Sequence, residues 1–483
     1  MQMMMAPHGR AALVRAVAAC PGCREEQALH CLVCKLGHAS DVVMATALLT
    51  CYGKRGLLAL AQRLFDEMTR RDSIAFNAML AALGASGRTA DARRLFDRMP
   101  DADRTPASWN TVLTCYCRAG DLASAREVFD ASLRATTSSL VSWNAMIDGY
   151  CKAGRMDAAQ ELFDRMTGSS PRDVVTWNTM MAGYLRRGDP AAAIAMFRRL
   201  MQQQTLRPTT VTMATAVSAC AQAGDLALGR EIHLSIRRLG TTADAVLSNA
   251  LIDMYFKCGS VDRALEVFVT MPGGAPNLFC WNTLIAGLGR NSRGEDAVRA
   301  FRDMVEKVVK PDAVTFVAVL SACSHSGLVA EGRELFAEML PVHGVAPRME
   351  HYGCMVDLLC RAGLLGEATR LVRAMPVRPN AKILGSLLLH AHAHARGPGP
   401  EQGEEDGVRV GQWAAEQIAE LDSHDGAAFG LSNMYASLQR WDHVEMHRRR
   451  SKMMNAARAN GKEPGRTSCD LAAAAQTEEQ HEY

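Results

Sequence analysis

An asparagine follows a tryptophan at 109–110, 143–144, 177–178 and 281–282. A carboxamide holds a donor and an acceptor side by side, so a row of them can address hydrogen-bonding ligand edges one at a time. Other chemistry-bearing residues are placed less regularly. Cys20-x-x-Cys23 and Cys31-x-x-Cys34, with His30 beside them, raise a zinc site, but the seven-residue gap between the pairs is short for a two-pair module. Cys20 also shares a repeat phase with Cys220 and Cys323, and His30 with His233, so packing accounts for both. His390, His392 and His394 lie in a low-complexity stretch where nothing supports a metal role. No phosphate-cradling glycine loop or nucleophile elbow occurs. The expectation is a protein without cofactor, metal or catalytic residue.

The elements that must position the asparagines follow from periodicity. Trp143, Met146, Ile147 and Tyr150 stand at i, i+3, i+4 and i+7, one apolar stripe along a helix. Gly154 stops that helix, since glycine takes the left-handed conformation that closes a C-terminus. Ala159, Leu162, Phe163 and Met166 repeat the stripe on a second helix. Such a hairpin cannot bury its apolar face alone, so copies must stack. The Trp-Asn pairs at 109, 143 and 177 set a spacing of about 34 residues, as in helical-repeat arrays. Variants of the phrase recur at 211–233, 246–268 and 314–336.

Composition agrees with a repeat array. A chain of 483 residues is too long for one ordinary compact core. Its net charge of +3 requires any polyanion to be held by locally placed groups and not by a global field. Fifteen cysteines, an odd number scattered through helical segments, read as reduced thiols in an intracellular compartment. The N-terminus holds Arg10 and Arg15 with no acid before Glu25, which fits either an organellar transit peptide or the first helix of the first repeat.

The wording "VVTWNTMMAGYLRRGDPAAAIAMF" at 174–197 resembles pentatricopeptide repeats; tetratricopeptide repeats have nearly the same length, but their pattern does not fit. Units ending "SACxxxGxxxxGRxxH", units reading "NALIDMYFKCGS" and units reading "CWNTLIAGLGRN" alternate, which looks like the long, short and standard repeats of the plant PLS subclass. The resemblance covers residues 7 to about 380 and implies an all-α, right-handed superhelical solenoid of about ten helix-turn-helix repeats. Residues 349–380 resemble the last short repeat; 381–425 read as the start of the C-terminal E extension, whose helical hairpin 426–470 resembles. A Gly/Pro-rich acidic stretch, 387–407, departs from the pattern and reads as a flexible insertion near 390–407, and 471–483 reads as a disordered tail.

The family reading implies that the asparagine position and the last residue of the same repeat contact one base of single-stranded RNA, with amides there going with pyrimidines and smaller hydroxyl residues with purines. The chemistry is sensible without precedent, because single-stranded bases expose edges that one or two polar side chains can address. Units 42–72, 73–105, 106–139, 140–173 and 174–209 then offer Thr46 with Asp72 (G), Asn77 with Thr105 (a pyrimidine), Asn110 with Ser139 (C), Asn144 with Asp173 (U) and Asn178 with Thr209 (a pyrimidine). Unit 210–244 offers Ala214 with Asp244 and names no base. Asn249 with Asn277 leans to a pyrimidine and Asn282 with Asp312 to U, whereas Val317 with Arg348 and Gly353 with Asn380 are unreadable. The implied target is roughly G-Y-C-U-Y-N-Y-U-N-N, Y being a pyrimidine. Each terminal residue has an alternative role as N-cap of the next helix, and Trp109, Trp143, Trp177 and Trp281 sit on the packing stripe as core.

Related editing factors often end in a DYW-type deaminase with the signature H-x-E and P-C-x-x-C. His443 and Glu445 are present, but only Cys469 follows, and one cysteine cannot complete a three-ligand site. The expectation is therefore a non-catalytic factor in a mitochondrion, with a chloroplast as alternative. It binds organellar single-stranded RNA and works with a DYW-type cytidine deaminase supplied in trans and with other editing factors. Its task would be C-to-U editing; a splicing, stability or translation factor and a protein–protein scaffold are the alternatives.

Overall fold

The structure, a computed structural model, describes residues 41–135, 139–166, 172–203, 205–238, 244–271, 276–395 and 401–421. The described residues hold 22 α-helices, a 3₁₀ turn at Asp101–Asp103 and no strand, in keeping with the all-α expectation. They fall into two compact units, divided between Thr241 and Thr242.

The first unit contains six hairpins: Val42–Lys54 (α1) with Leu58–Glu67 (α2), Ser73–Ala85 (α3) with Thr89–Asp97 (α4), Pro106–Ala119 (α5) with Leu122–Arg134 (α6), Leu140–Lys152 (α7) with Met156–Arg165 (α8), Val174–Arg187 (α9) with Pro190–Met201 (α10), and Thr210–Ala223 (α11) with Leu226–Arg238 (α12). The second contains four more, Ala245–Lys257 (α13) with Val261–Val269 (α14), Leu278–Arg290 (α15) with Gly294–Glu306 (α16), Ala313–Ser326 (α17) with Val329–Glu338 (α18), and Met349–Arg361 (α19) with Leu365–Arg373 (α20). A last pair, Ala381–Ala395 (α21) and Glu401–Leu421 (α22), follows them.

Within each unit a first helix packs on its own second helix and on the first helix of the next hairpin. The stripe explains both contacts. Trp143, Met146, Ile147 and Tyr150 are all buried, as are Ala159, Leu162, Phe163 and Met166. Trp143 meets Phe129 of α6 edge-on at 4.9 Å, and Trp177 meets Phe163 of α8 at 4.8 Å, a geometry that satisfies the ring quadrupoles. Phe96 with Trp109 and Phe268 with Trp281 repeat it. The tryptophans are thus mortar between hairpins, as the periodicity predicts.

Two kinds of glycine keep the stack regular. Gly154 and Gly188 close α7 and α9 with φ of +72° and +80°, a region costly for side chains bearing a Cβ. Gly183, inside α9, instead admits a neighbour: a Cβ there would lie 2.5 Å from Cys151 Sγ on α7. Burial pushes the Cys151 thiol up to about 12, and Cys323 likewise, so both act as small apolar spacers at neutral pH.

The expected insertion is helical over 390–395 and 401–407. Leu384, Leu387 and Ala391 of α21 are buried in one core with Val408, Val410 and Ala414 of α22, and Arg373 of α20 lies 4.9 Å from the Trp413 ring centroid. Apolar residues at helical spacing on both sides outweigh the Gly-Pro-Gly-Pro at 397–400, and residues 396–400 lie outside the described set. The expected E hairpin at 426–470, the tail, His443, Glu445, Cys469 and the four N-terminal cysteines also lie outside it. Among the described residues no helix is long and apolar enough to cross a membrane.

Candidate nucleic-acid interface

The repeat geometry brings three of the seven sequence-predicted pairs into contact. Each asparagine is the fifth residue of a first helix, and each terminal residue immediately precedes the next first helix. That second placement makes the terminal residue an N-cap: the Asp72 side chain accepts from Ala75 N, Asp173 from Thr176 N and Asp312 from Thr315 N, each at 2.8 Å, and Asn277 accepts from Cys280 N at 3.0 Å. Thr105, Ser139 and Thr209 form capping boxes, and Asp244 caps α13. Capping satisfies the otherwise orphaned amides of a first turn. At Ser139, Asp173 and Asp312 it also holds the terminal side chain beside the preceding asparagine.

Three pairs are joined directly. Asn144 Nδ2 donates to Asp173 Oδ1 at 3.4 Å, Asn282 Nδ2 to Asp312 Oδ1 at 3.3 Å, and Asn110 Nδ2 to Ser139 Oγ at 3.0 Å. The bonds to Asp173 and Asp312 all converge on Oδ1. Capping therefore leaves Oδ2 as an acceptor for a ligand N–H, while the second Nδ2 proton of the asparagine remains as a donor. Donor beside acceptor suits uracil, with its carbonyl and N3–H. Asn110 with Ser139 offers an amide proton beside a hydroxyl, which suits the two adjacent acceptors of cytosine.

Other predicted residues are placed differently. The Thr46 hydroxyl donates to Val42 O in its own helix at 2.7 Å, which leaves it an acceptor. Asn77, Asn178 and Asn249 each bury Oδ1 without a partner. At the unit that pairs Val317 with Arg348, His351 Nδ1 accepts from Arg348 N at 2.9 Å and Nε2 lies 2.9 Å from Ala313 O, so an imidazole serves the cap there.

Electrostatics keep the acceptor charged. Burial pushes the Asp312 carboxyl up, but hydrogen bonds from Thr315 and Asn282 outweigh it and hold it below the usual carboxylate range.

Two further sets of residues recur at a constant phase in each unit and were not legible in the sequence. Val43, Ile74, Val141, Val175, Val211, Val246, Phe279 and Val314 are exposed, and each is the second residue of a first helix, three before the fifth position that the asparagines occupy. Residues three apart share a helix face. The signal was an apolar residue off the buried stripe at a constant phase. Lys54, Arg118, Lys152, Arg186, Lys257, Arg290 and Arg361 each stand in the last turn of a first helix, eight residues beyond the fifth position and about 12 Å along the axis. Asp148 pairs with Lys152 at 2.6 Å and Arg186 at 3.5 Å, and Asp253 with Lys257 at 2.7 Å and Arg290 at 3.2 Å. This is how a chain of low net charge carries a basic row.

Stacked helical hairpins with a polar pair at each junction define a helical-repeat binding scaffold. The PPR repeat family pattern matches residues 172–222 and 276–325, and PPR repeat patterns match 138–167, 43–73, 74–103, 107–134, 246–273, 314–340 and 350–378. The chain belongs to the pentatricopeptide repeat proteins. Pentatricopeptide repeat-containing protein At4g14820 of Arabidopsis thaliana is 40% identical over 257 residues, 53% of this chain and 34% of the relative. At5g48910 of the same plant is 38% identical over 272 residues, 56% and 40% respectively. The aligned part thus spans about a third to two fifths of these relatives. Among solved structures, PPR10, a pentatricopeptide repeat protein from maize, in complex with an 18-nucleotide psaJ RNA element, is similar over 94% of this chain and 74% of that one, with a TM-score of 0.54 and 16% identity, a likeness of fold.

Proposed function

We propose that this protein binds one single-stranded RNA by sequence, with each hairpin meeting about one nucleotide. The observation that carries this is the pairing of Asn110 with Ser139, Asn144 with Asp173 and Asn282 with Asp312, at 3.0, 3.4 and 3.3 Å, in one repeat phase. The exposed apolar row beside the asparagines contacts base faces, since stacking and apolar contact suit any base. The basic row meets phosphates. PPR10 bound to RNA supports the reading through a shared fold.

The finer reading is a PLS-type editing factor in a mitochondrion, or else in a chloroplast. The alternating wording of the repeats and the E-like stretch at 426–470 support it. In that role the repeats hold the transcript, and a DYW-type deaminase acting in trans, with other editing factors, converts a nearby cytidine.

Fluorescence anisotropy with an oligonucleotide of the pattern G-Y-C-U-Y-N-Y-U tests the first claim. Salt-dependent binding that weakens when the two U positions become purines is expected. Binding indifferent to sequence, or none, rejects it in favour of a protein scaffold. Sequencing organellar cDNA from a plant line lacking the gene tests the second claim: one lost C-to-U site is expected, and unchanged editing with altered splicing or transcript level rejects it.

A further inference from the structure

Six asparagines share the fifth position of a first helix, and the third residue of the following first helix sorts them into two sets. For Asn110, Asn144 and Asn282 that residue is Ser142, Thr176 or Thr315, a buried hydroxyl whose oxygen lies 2.5, 2.7 and 2.7 Å from the asparagine Oδ1 and can donate to it; the Thr176 and Thr315 hydroxyls also lie 2.7 and 2.9 Å from Asp173 Oδ1 and Asp312 Oδ1 and share their one proton between the two acceptors. For Asn77 and Asn178 the equivalent hydroxyls, Ser108 and Thr212, pair with the capping hydroxyls of Thr105 and Thr209 at 3.1 and 3.0 Å. For Asn249 the residue is Cys280, which has no hydroxyl. All three of these asparagines leave Oδ1 buried and without a partner.

We propose that the buried hydroxyls of Ser142, Thr176 and Thr315 are specificity-positioning residues: each fixes the amide of the preceding repeat's asparagine so that nitrogen, not oxygen, faces the terminal residue and the base. The inference rests on the RNA-binding reading above. Flipping Asn144 would set its Oδ1 against the Asp173 carboxylate and take an acceptor from the Thr176 proton, so both neighbours select one orientation. A fixed amide presents donors alone to the ligand. An unfixed one offers a donor or an acceptor according to the base it meets, and so tolerates several. Repeats 106–139, 140–173 and 278–312 are therefore selective, and 73–105, 174–209 and 245–277 permissive.

The test measures affinity for oligonucleotides carrying each of the four bases opposite one repeat. Thr176→Val is expected to lower discrimination at the nucleotide met by Asn144 about fivefold, roughly one net hydrogen bond, while other nucleotides keep theirs. Thr176→Ser restores it, which a packing role alone would not. Cys280→Thr supplies the missing hydroxyl and is expected to raise discrimination opposite Asn249; should Thr176→Val unfold, Thr315→Val and this gain decide. Unchanged discrimination in Thr176→Val and Cys280→Thr, with discrimination lost in Asn144→Ala, overturns the positioning role and leaves base reading intact. If Asn144→Ala also changes nothing, base reading at that repeat fails, and the positioning role with it.

Discussion

Asn144 and Asn249 occupy the same position in near-identical hairpins, yet one is held at both ends of its amide and the other at neither. Around Asn144 stand Asp173 and Thr176; the equivalent positions for Asn249 hold Asn277 and Cys280, and its Oδ1 is buried without a partner. The scaffold beneath is the same, with Phe163 on Trp177 at 4.8 Å in one place and Phe268 on Trp281 at 4.9 Å in the other. Packing and the proposed recognition thus fall to different residues of one helix turn, so the polar pair can vary from repeat to repeat without altering the stack.

The largest effects test the shared half of that comparison. Trp177→Ala and Trp281→Ala should each cost about 3–5 kcal/mol in chemical denaturation, the usual weight of a large core aromatic. Markedly unequal costs would show that the two scaffolds are not equivalent. Next come the close approaches of first helices. A Cβ on Gly287 would lie 2.2 Å from the Phe256 ring, whereas one on Gly183 meets the Cys151 sulfur at 2.5 Å. Gly287→Ala should lower the melting temperature more than Gly183→Ala, each within about 1–3 kcal/mol, because a ring is harder to displace.

Exchanging the terminal residues sharpens the recognition half. Asp173→Asn keeps an N-cap but removes a charged acceptor, and preference for U opposite Asn144 should fall about tenfold, near the lower bound for a charge-assisted hydrogen bond. Asn277→Asp should create a U preference opposite Asn249. Anisotropy titrations that show no movement in either direction would separate capping from reading altogether. The smallest expected change is with pH. Since the Asp312 carboxyl lies below its usual range, U preference opposite Asn282 should stay flat between about pH 8 and 5. Its contribution to stability, fully present above the unfolded carboxylate value near 4, is lost only as pH falls through the lower folded value. A preference that titrates near neutrality would contradict a carboxylate held ionised.

Much of the candidate site is legible in the sequence. Asn110, Asn144 and Asn282 stand out because tryptophan precedes them at a fixed phase, and their terminal partners follow from repeat length. The exposed valine row was not recognised, because an apolar residue off a buried stripe resembles ordinary scatter until its exposure is seen to recur. Residues 390–395 and 401–407, part of the expected insertion, lie in helices for the opposite reason. Composition spoke for a loop, while the helical spacing of Leu387, Ala391, Val408 and Ala414 spoke for two packed helices.

The order of residues alone determined the helical hairpins, their stacking and the phase of the polar pairs, because 3.6-residue periodicity, capping chemistry and repeat length are local properties of the chain. Only the tertiary structure decided which amides are fixed. That depends on whether a hydroxyl about 32 residues away lies within hydrogen-bond reach of one oxygen, a distance set by packing between hairpins and not by either segment alone.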